Sequence, residues 1–235
     1  MTTSIKEKKA VILLSGGLDS TTTLALALRD NDEAICVQAD YGQKHIRERE
    51  SAALIVREYQ SRGKRVKLIP IELPRIFGGA GSTLIDPYIQ QPHMTYKEIA
   101  ESEGPSPTVV PFRNANLLSA ATTIAIVENA QQVYAGMHAE DARNFAYPDC
   151  TPEFLGAMAN AIYVGTYQKV RLIFPLIWMM KKDIARLAYD LDVPIELTYS
   201  CYEGGNKHCG LCPTCIERKE AFKAIDRPDK VEYAQ

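Results

Sequence analysis

Two short strings in this 235-residue chain carry residues whose types and spacing suit chemistry. The first is Ser15-Gly16-Gly17-Leu18-Asp19-Ser20, which follows an apolar run and opens a helical pattern. Paired glycines let a backbone take angles closed to other residues and come close to a ligand. Free amides at the start of the next helix then favour an anion. Ser15, Ser20 and Thr21 add hydroxyl donors, and Asp19 has the charge to hold Mg²⁺ against phosphate oxygens. Neither Gly-x-x-x-x-Gly-Lys-Ser/Thr nor Gly-x-Gly-x-x-Gly occurs, so this is no Walker loop and no dinucleotide fingerprint. An ordinary strand-to-helix turn capped by Asp19 would also read this way.

The second string is Cys201-x7-Cys209-x2-Cys212-x2-Cys215. Two-residue spacers let successive thiolates turn toward one ion, and tetrahedral Zn²⁺ accepts four of them in a closed, structural site. An iron–sulfur cluster is the rival, because four thiolates suit it too. Gly204, Gly205 and Gly210 supply the tight backbone that a metal knuckle needs. His208 reads as a bystander, and Cys36, inside an apolar run, as core packing.

The elements that must position these strings follow from periodicity. Short apolar runs at residues 10–14, 34–39, 66–71, 131–136 and 170–174 predict strands. Helical spacing predicts helices over 19–29, 43–61 (Ile46, Ala53, Leu54 and Ile55 inward), 114–129, 151–162, 182–189 and 214–224. Alternation of the two is the pattern of a doubly wound parallel α/β sheet. Residues 74–111, with Pro74, Pro87, Pro92, Pro105 and Pro107, predict an irregular insertion. The division expected is a main domain over 1–195 and a zinc-binding appendage over 196–235.

Composition narrows the classes. With 46% hydrophobic and 24% charged residues the chain reads as an ordinary globular protein, which excludes disorder and fibrous repeats. Lys+Arg 27 against Asp+Glu 29 gives a net charge of -2, which argues against a nucleic-acid binder. No run is long and apolar enough to span a bilayer. Lys6, Lys8 and Lys9 precede only five apolar residues, too few for a signal-peptide core. A cytoplasmic protein is expected.

In its context the first string resembles the Ser-Gly-Gly-x-Asp-Ser loop of the PP-loop ATP pyrophosphatases, whose fold is adenine nucleotide alpha hydrolase-like. That resemblance implies cleavage of ATP between the α and β phosphates, leaving AMP on a substrate oxygen. Lys181, Lys182, Arg113 and Arg143 are the basic candidates for the phosphoryl centre. Further strings narrow the family: Asp40-Tyr41-Gly42-Gln43, Arg113-Asn114, Tyr147-Pro148-Asp149-Cys150-Thr151-Pro152-Glu153-Phe154 and Ser200-Cys201-Tyr202-Glu203-Gly204-Gly205. Their order and spacing resemble the 7-cyano-7-deazaguanine synthases of queuosine biosynthesis, over nearly the whole chain.

This resemblance implies an ATP-dependent ligase for 7-carboxy-7-deazaguanine and ammonia. Leu14, Ser15, Gly16, Gly17, Leu18, Asp19, Ser20, Thr21, Thr22, Thr23 and Leu24 would hold ATP with its Mg²⁺, and Asp19, Ser20 and Lys181 would be catalytic. Asp149 and Glu153 would accept from the guanine-like edge, Arg143 would face the carboxylate, and Arg113 and Asn114 would complete the acceptor site. The zinc held by Cys201, Cys209, Cys212 and Cys215 would be structural, and the assembly a homodimer. Small molecules would be the only substrates, with no membrane or nucleic-acid partner.

The chain departs from the family at two places. Phe112 stands where a glycine or small residue is usual, and would reshape a pocket that the backbone approaches. Residues 137–146 carry more charge than the usual Val-Asn-Ala-Val-Asp-Tyr-Ser-Gly and are two longer. These departures motivate a rival: a relative that activates the same carboxylate but stops at the amide or passes it to another amine. No glutaminase segment is visible. A tRNA thiolase or lysidine-type ligase would want a basic surface, and a zinc-knuckle binding module would have no need of a pyrophosphate cradle.

Overall fold

The apolar runs become a single parallel sheet in the computed structural model, which describes residues 7–43, 47–73, 76–86, 88–101 and 106–235. Strands β1 (Lys9–Leu13), β2 (Glu33–Asp40), β3 (Val66–Glu72), β4 (Gln132–Tyr134) and β5 (Arg171–Ile173) lie in the order β3-β2-β1-β4-β5. Every pairing is parallel; Val11 stands opposite Ile35 on one side and Val133 on the other. The α-helices are α1 (Leu18–Asp30), α2 (Arg47–Ser61), α3 (Tyr96–Glu101), α4 (Arg113–Val127), α5 (Pro152–Gly165), α6 (Lys181–Asp190) and α7 (Pro213–Ala224), with short 3-10 turns at Arg143–Phe145, Pro148–Cys150 and Ile195–Leu197.

The alternation of strand side chains divides the core in two. Val11 of β1 packs with Leu118 and Ala121 of α4, whereas Ile12 packs with Leu24 of α1 and Ile55 of α2. With both faces covered, β1 is apolar at successive positions instead of alternating. Ile12 is fully buried, so truncating it to alanine would cost about 2–5 kcal/mol.

Strand β1 is central. The chain leaves it toward β2 on one side and returns after β3 to β4 on the other. The turns after β1 and β4 therefore diverge and open a crevice at the carboxyl edge of the sheet, where such folds take ligands.

Several boundaries differ from expectation, each for a local reason. Strand β4 ends at Tyr134, before Gly136, where a Cβ would lie 3.2 Å from the Asp19 carbonyl oxygen. Leu54 is exposed, because the buried face of α2 runs through Ser51, Ala52, Ile55, Val56 and Tyr59. Helix α5 continues to Gly165; Thr151 caps it by accepting the Phe154 amide at 3.3 Å. The insertion contains an unforeseen helix, α3, set by a reciprocal cap between Thr95 and Glu98. Its Phe77, Leu84 and Val110 are buried together. Lys6, Ile46, Pro74, Pro87 and Pro105 lie outside the described residues.

The C-terminal segment is joined to the sheet domain by shared packing. Ala221 and Phe222 of α7 pack with Leu18, Ala185 and Ala188. Arg218, fully buried, donates from Nε to Asp229 Oδ2 at 2.7 Å and from Nη2 to Oδ1 at 3.0 Å. Its Nη1 donates to Ser200 Oγ at 3.1 Å, and Tyr233 donates to Asp229 at 2.6 Å. One guanidinium thus ties α7, the tail and the start of the cysteine segment. No described helix is long and apolar enough to cross a membrane.

Candidate active site and cysteine centre

The crevice holds a cavity of about 270 Å³ at the ends of β1 and β2. Gly16, in the turn beneath it, takes φ +93°, and a Cβ there would lie 2.6 Å from the Glu48 carbonyl oxygen. Only glycine fits, on grounds of both angle and space. The Gly16 carbonyl accepts from Ser51 Oγ at 2.9 Å and from the Tyr199 amide at 2.9 Å, so α2 and the C-terminal segment meet on this residue. The next amide, of Gly17, donates to Ser15 Oγ at 3.3 Å. The first-turn amides of α1 follow, free of helical partners as at any helix start.

Leu14, Ser15, Gly17 and Asp19 line the cavity; Gly16, Leu18, Ser20, Thr21, Thr22, Thr23 and Leu24 do not. Thr21 and Thr22 donate back to the carbonyls of Gly17 and Leu18 at 2.7 and 2.8 Å, so their hydroxyls are spent within α1. Ser20 shares a hydrogen bond with Ser15 at 3.0 Å and donates to the Gly17 carbonyl.

A charged group gathers beside Asp19. Lys181, the first residue of α6, is buried and donates from Nζ to Asp19 Oδ2 at 2.7 Å, with Glu217 Oε2 at 3.4 Å. Burial opposes its ammonium, but the Asp19 and Glu217 carboxylates outweigh it and hold its pKa above the ordinary lysine value. Burial likewise opposes the Asp19 carboxylate, and Lys181 with His138 reverses the effect, so Asp19 titrates below its usual range. Burial dominates at Glu217, whose pKa rises to about 7. His138 Nε2 lies 3.8 Å from Asp19 and 3.5 Å from Asp141. Asp19 Oδ1 and His138 Nδ1 are buried without a hydrogen-bond partner among the described residues. An orphaned carboxylate oxygen beside a phosphate-type turn suits a divalent cation.

The rest of the lining differs. Tyr41 follows β2, Glu48 opens α2, Tyr96 opens α3, Arg113 opens α4, and Tyr202 comes from the cysteine segment. Arg113 Nη1 donates to the Tyr41 hydroxyl at 3.3 Å, and the hydroxyls of Tyr96 and Tyr202 are 3.0 Å apart. Burial raises the Glu48 pKa to about 7 against the pull of Arg113.

Of the basic candidates, Lys181 and Arg113 face the cavity, whereas Lys182 and Arg143 are exposed and do not. Asn114 is buried; its amide donates to Asp149 Oδ2 at 2.9 Å, so Asp149 caps α4 outside the cavity lining. Glu153 is exposed in the first turn of α5. Phe112 takes φ +54°, a conformation that favours glycine, and its ring turns out to solvent against Phe154. It does not line the cavity, contrary to the expectation that it would reshape the pocket. Residues 137–146 do reach the site: His138 and Asp141 line it, and Glu140 accepts the Lys181 amide at 2.6 Å. Glu48, His138, Asp141 and Glu217 carry no role in the sequence reading; they stand beside recognised strings and not within them, and each lies far along the chain from the glycine turn.

The cysteine centre is compact. The sulfurs of Cys201, Cys209, Cys212 and Cys215 all lie within 4.8 Å of one another. Four sulfurs at about 2.3 Å from a tetrahedral ion are roughly 3.8 Å apart, and Cys209 and Cys215 are 3.9 Å apart. Backbone amides of Cys209, Leu211 and Cys212 point at Cys201 or Cys209 sulfur at 3.2–3.3 Å, the donor pattern of a metal knuckle. The donor set fits a metal ion. His208 Nε2 accepts the Ser200 amide at 3.2 Å instead of joining the sulfurs.

Sheet order, glycine turn and cysteine centre together define a doubly wound α/β protein with a cavity at its switch point and a four-cysteine cluster that could hold a metal ion. The model of the family described as "Queuosine biosynthesis protein QueC" matches residues 9–226. The chain belongs to that family. Relatives described as 7-cyano-7-deazaguanine synthase include one from Methanoculleus marisnigri, 38% identical over 229 residues, 96% of this chain and 99% of the relative. Another, from Acetivibrio thermocellus, is 38% identical over 97% of this chain and 99% of its own length. Superposition on solved structures is loose: a 4-thiouridine synthetase–RNA complex with bound ATP gives a TM-score of 0.49 at 18% identity, covering 92% of this chain and 54% of that one.

Proposed function

We propose that the protein is an ATP-dependent carbon–nitrogen ligase that converts 7-carboxy-7-deazaguanine and ammonia into 7-cyano-7-deazaguanine. The observation that carries this reading is the buried Lys181–Asp19 pair at the start of α1, in a chain 38% identical to synthases of that name. The substrate carboxylate attacks the α-phosphorus of ATP and pyrophosphate leaves. Ammonia then displaces AMP to give the amide. The amide oxygen then attacks the α-phosphorus of a second ATP and pyrophosphate leaves; loss of AMP and both nitrogen-bound protons gives the nitrile.

In this reading Lys181 and the α1 amides bind the departing pyrophosphate, and Ser15, held by its hydrogen bond with Ser20, orients it. Preorganised donors aimed at developing charge are the expected source of rate. Asp19, through its free Oδ1, would hold Mg²⁺, which would neutralise phosphate charge and polarise the phosphoryl centre. Arg113 is the one substrate-side candidate from sequence that faces the cavity. Zinc at the four cysteines is structural, because four thiolates leave no open position. Residues 196–235 act as the metal-bearing appendage, and the protein works in the cytoplasm as a homodimer.

The test is a mass-resolved assay with Mg²⁺-ATP and 7-carboxy-7-deazaguanine, with and without ammonium. Nitrile and AMP appearing only with ammonium are expected. Absence of AMP with this acid sinks the reading; amide without nitrile turns it toward a relative with another end product.

A further inference from the structure

Four carboxylates line the cavity, and three are engaged. Asp19 and Glu217 share Lys181. Asp141 Oδ2 faces His138 Nε2 at 3.5 Å. Glu48 has no hydrogen-bond partner among the described residues, and its charged neighbour is Arg113 on another element. The cavity thus has two sets of charged groups: a lysine–carboxylate cluster at the glycine turn, and Glu48 with Arg113, whose guanidinium donates to Tyr41. The two carboxylates expected to read a base, Asp149 and Glu153, lie outside it.

A guanine-like ring presents, side by side, an exocyclic amine, a ring N–H and a carbonyl oxygen. The first two are donors and match a carboxylate; the third is an acceptor and matches a guanidinium. We propose that Glu48 and Arg113 are the specificity-determining residues for the acceptor substrate. Glu48 accepts from the exocyclic amine and the ring N–H, while Arg113 donates to the carbonyl oxygen. An adenine ring offers a lone pair where guanine has its N–H, so the pair also keeps the base of ATP from occupying the acceptor's place. The chemistry of the acceptor is taken from the proposed reaction; the guanine-type selectivity can be tested apart from it.

The experiment compares binding of 7-carboxy-7-deazaguanine and its 2-desamino analogue, 7-carboxy-7-deazahypoxanthine, to the wild-type chain and to Glu48→Gln. A lost hydrogen bond to a charged group corresponds to roughly ten- to a hundredfold in affinity. The wild type should prefer the parent acid by that order. Glu48→Gln should lose that preference while binding a non-hydrolysable ATP analogue normally. An unchanged preference in Glu48→Gln overturns the proposal. So does a wild type that binds both acids equally, and that arm needs no variant to fold. Formation of AMP by the wild type is scored separately. No AMP with Glu48-dependent selectivity overturns the reaction and leaves the subsite; AMP from both acids with equal efficiency overturns the subsite and leaves the reaction.

Discussion

The two ends of the cavity are built in opposite ways. The phosphate end is almost contiguous: residues 14–20 supply the turn, and Lys181 with Glu217 completes it. The acceptor end is assembled from Tyr41 and Glu48, Tyr96, Arg113 and Tyr202, which only the fold brings together. Its integrity depends on the insertion and the cysteine segment meeting through Tyr96 and Tyr202. Damage to distant structure should therefore reach the acceptor end first.

Metal removal is the most severe way to apply that difference. Structural zinc in small knuckles stabilises them by about 10 kcal/mol or more. Stripping the cysteine centre should release Tyr202 and abolish binding of the acid, while an ATP analogue loses less; parallel isotherms during chelator titration would show it. Next in size is Arg218→Ala, which leaves Asp229 buried beside an empty space. Breaking a buried pair of this kind costs about 3–5 kcal/mol, read as a lower denaturant midpoint with earlier loss of acid binding. Lys181→Ala strikes the other end. AMP formation should fall on the order of 10²- to 10³-fold, with affinity for the acid nearly intact.

Two smaller effects sharpen the comparison. The Glu48 pKa is raised from 4.5 to about 7 by burial, so the folded state holds its proton more tightly than the unfolded chain. Its contribution is full below pH 4.5 and is lost as pH rises through about 7. Glu48→Gln should therefore melt higher than wild type at pH 8, with the gap closing below pH 4.5, although the acid binds it poorly. Smallest is Phe112→Gly. Relief of the left-handed backbone, about 1–2 kcal/mol, is offset by loss of the Phe154 ring contact, about 0.5–1.5 kcal/mol. Thermal midpoint and KM should both stay close to wild type.

This difference also sets what sequence could tell. Buried parallel strands read as apolar runs, so the sheet was legible, and the cysteine spacing announced its centre. The phosphate turn was legible because its residues are neighbours in the chain. The acceptor end was not: Asp149 and Glu153 stood in a distinctive string, yet Asp149 caps α4 and Glu153 is exposed. Proximity in sequence gave no hint that Glu48, thirty-odd residues after the glycine turn, would line one cavity with Arg113. Helix α3 carried a readable sign, Thr95-x-x-Glu98, lost among prolines.

The contact of Gly16 with the Glu48 carbonyl has an evolutionary consequence. A side chain at position 16 would push α2 and the glycine turn apart together, so nucleotide handling and base selectivity cannot drift independently there. Lineages of this architecture that change their acceptor are expected to do so by varying the insertion around Tyr96 or the segment around Tyr202. The crossing of β1, α2 and the C-terminal segment at Gly16 would stay frozen while those outer walls diversify.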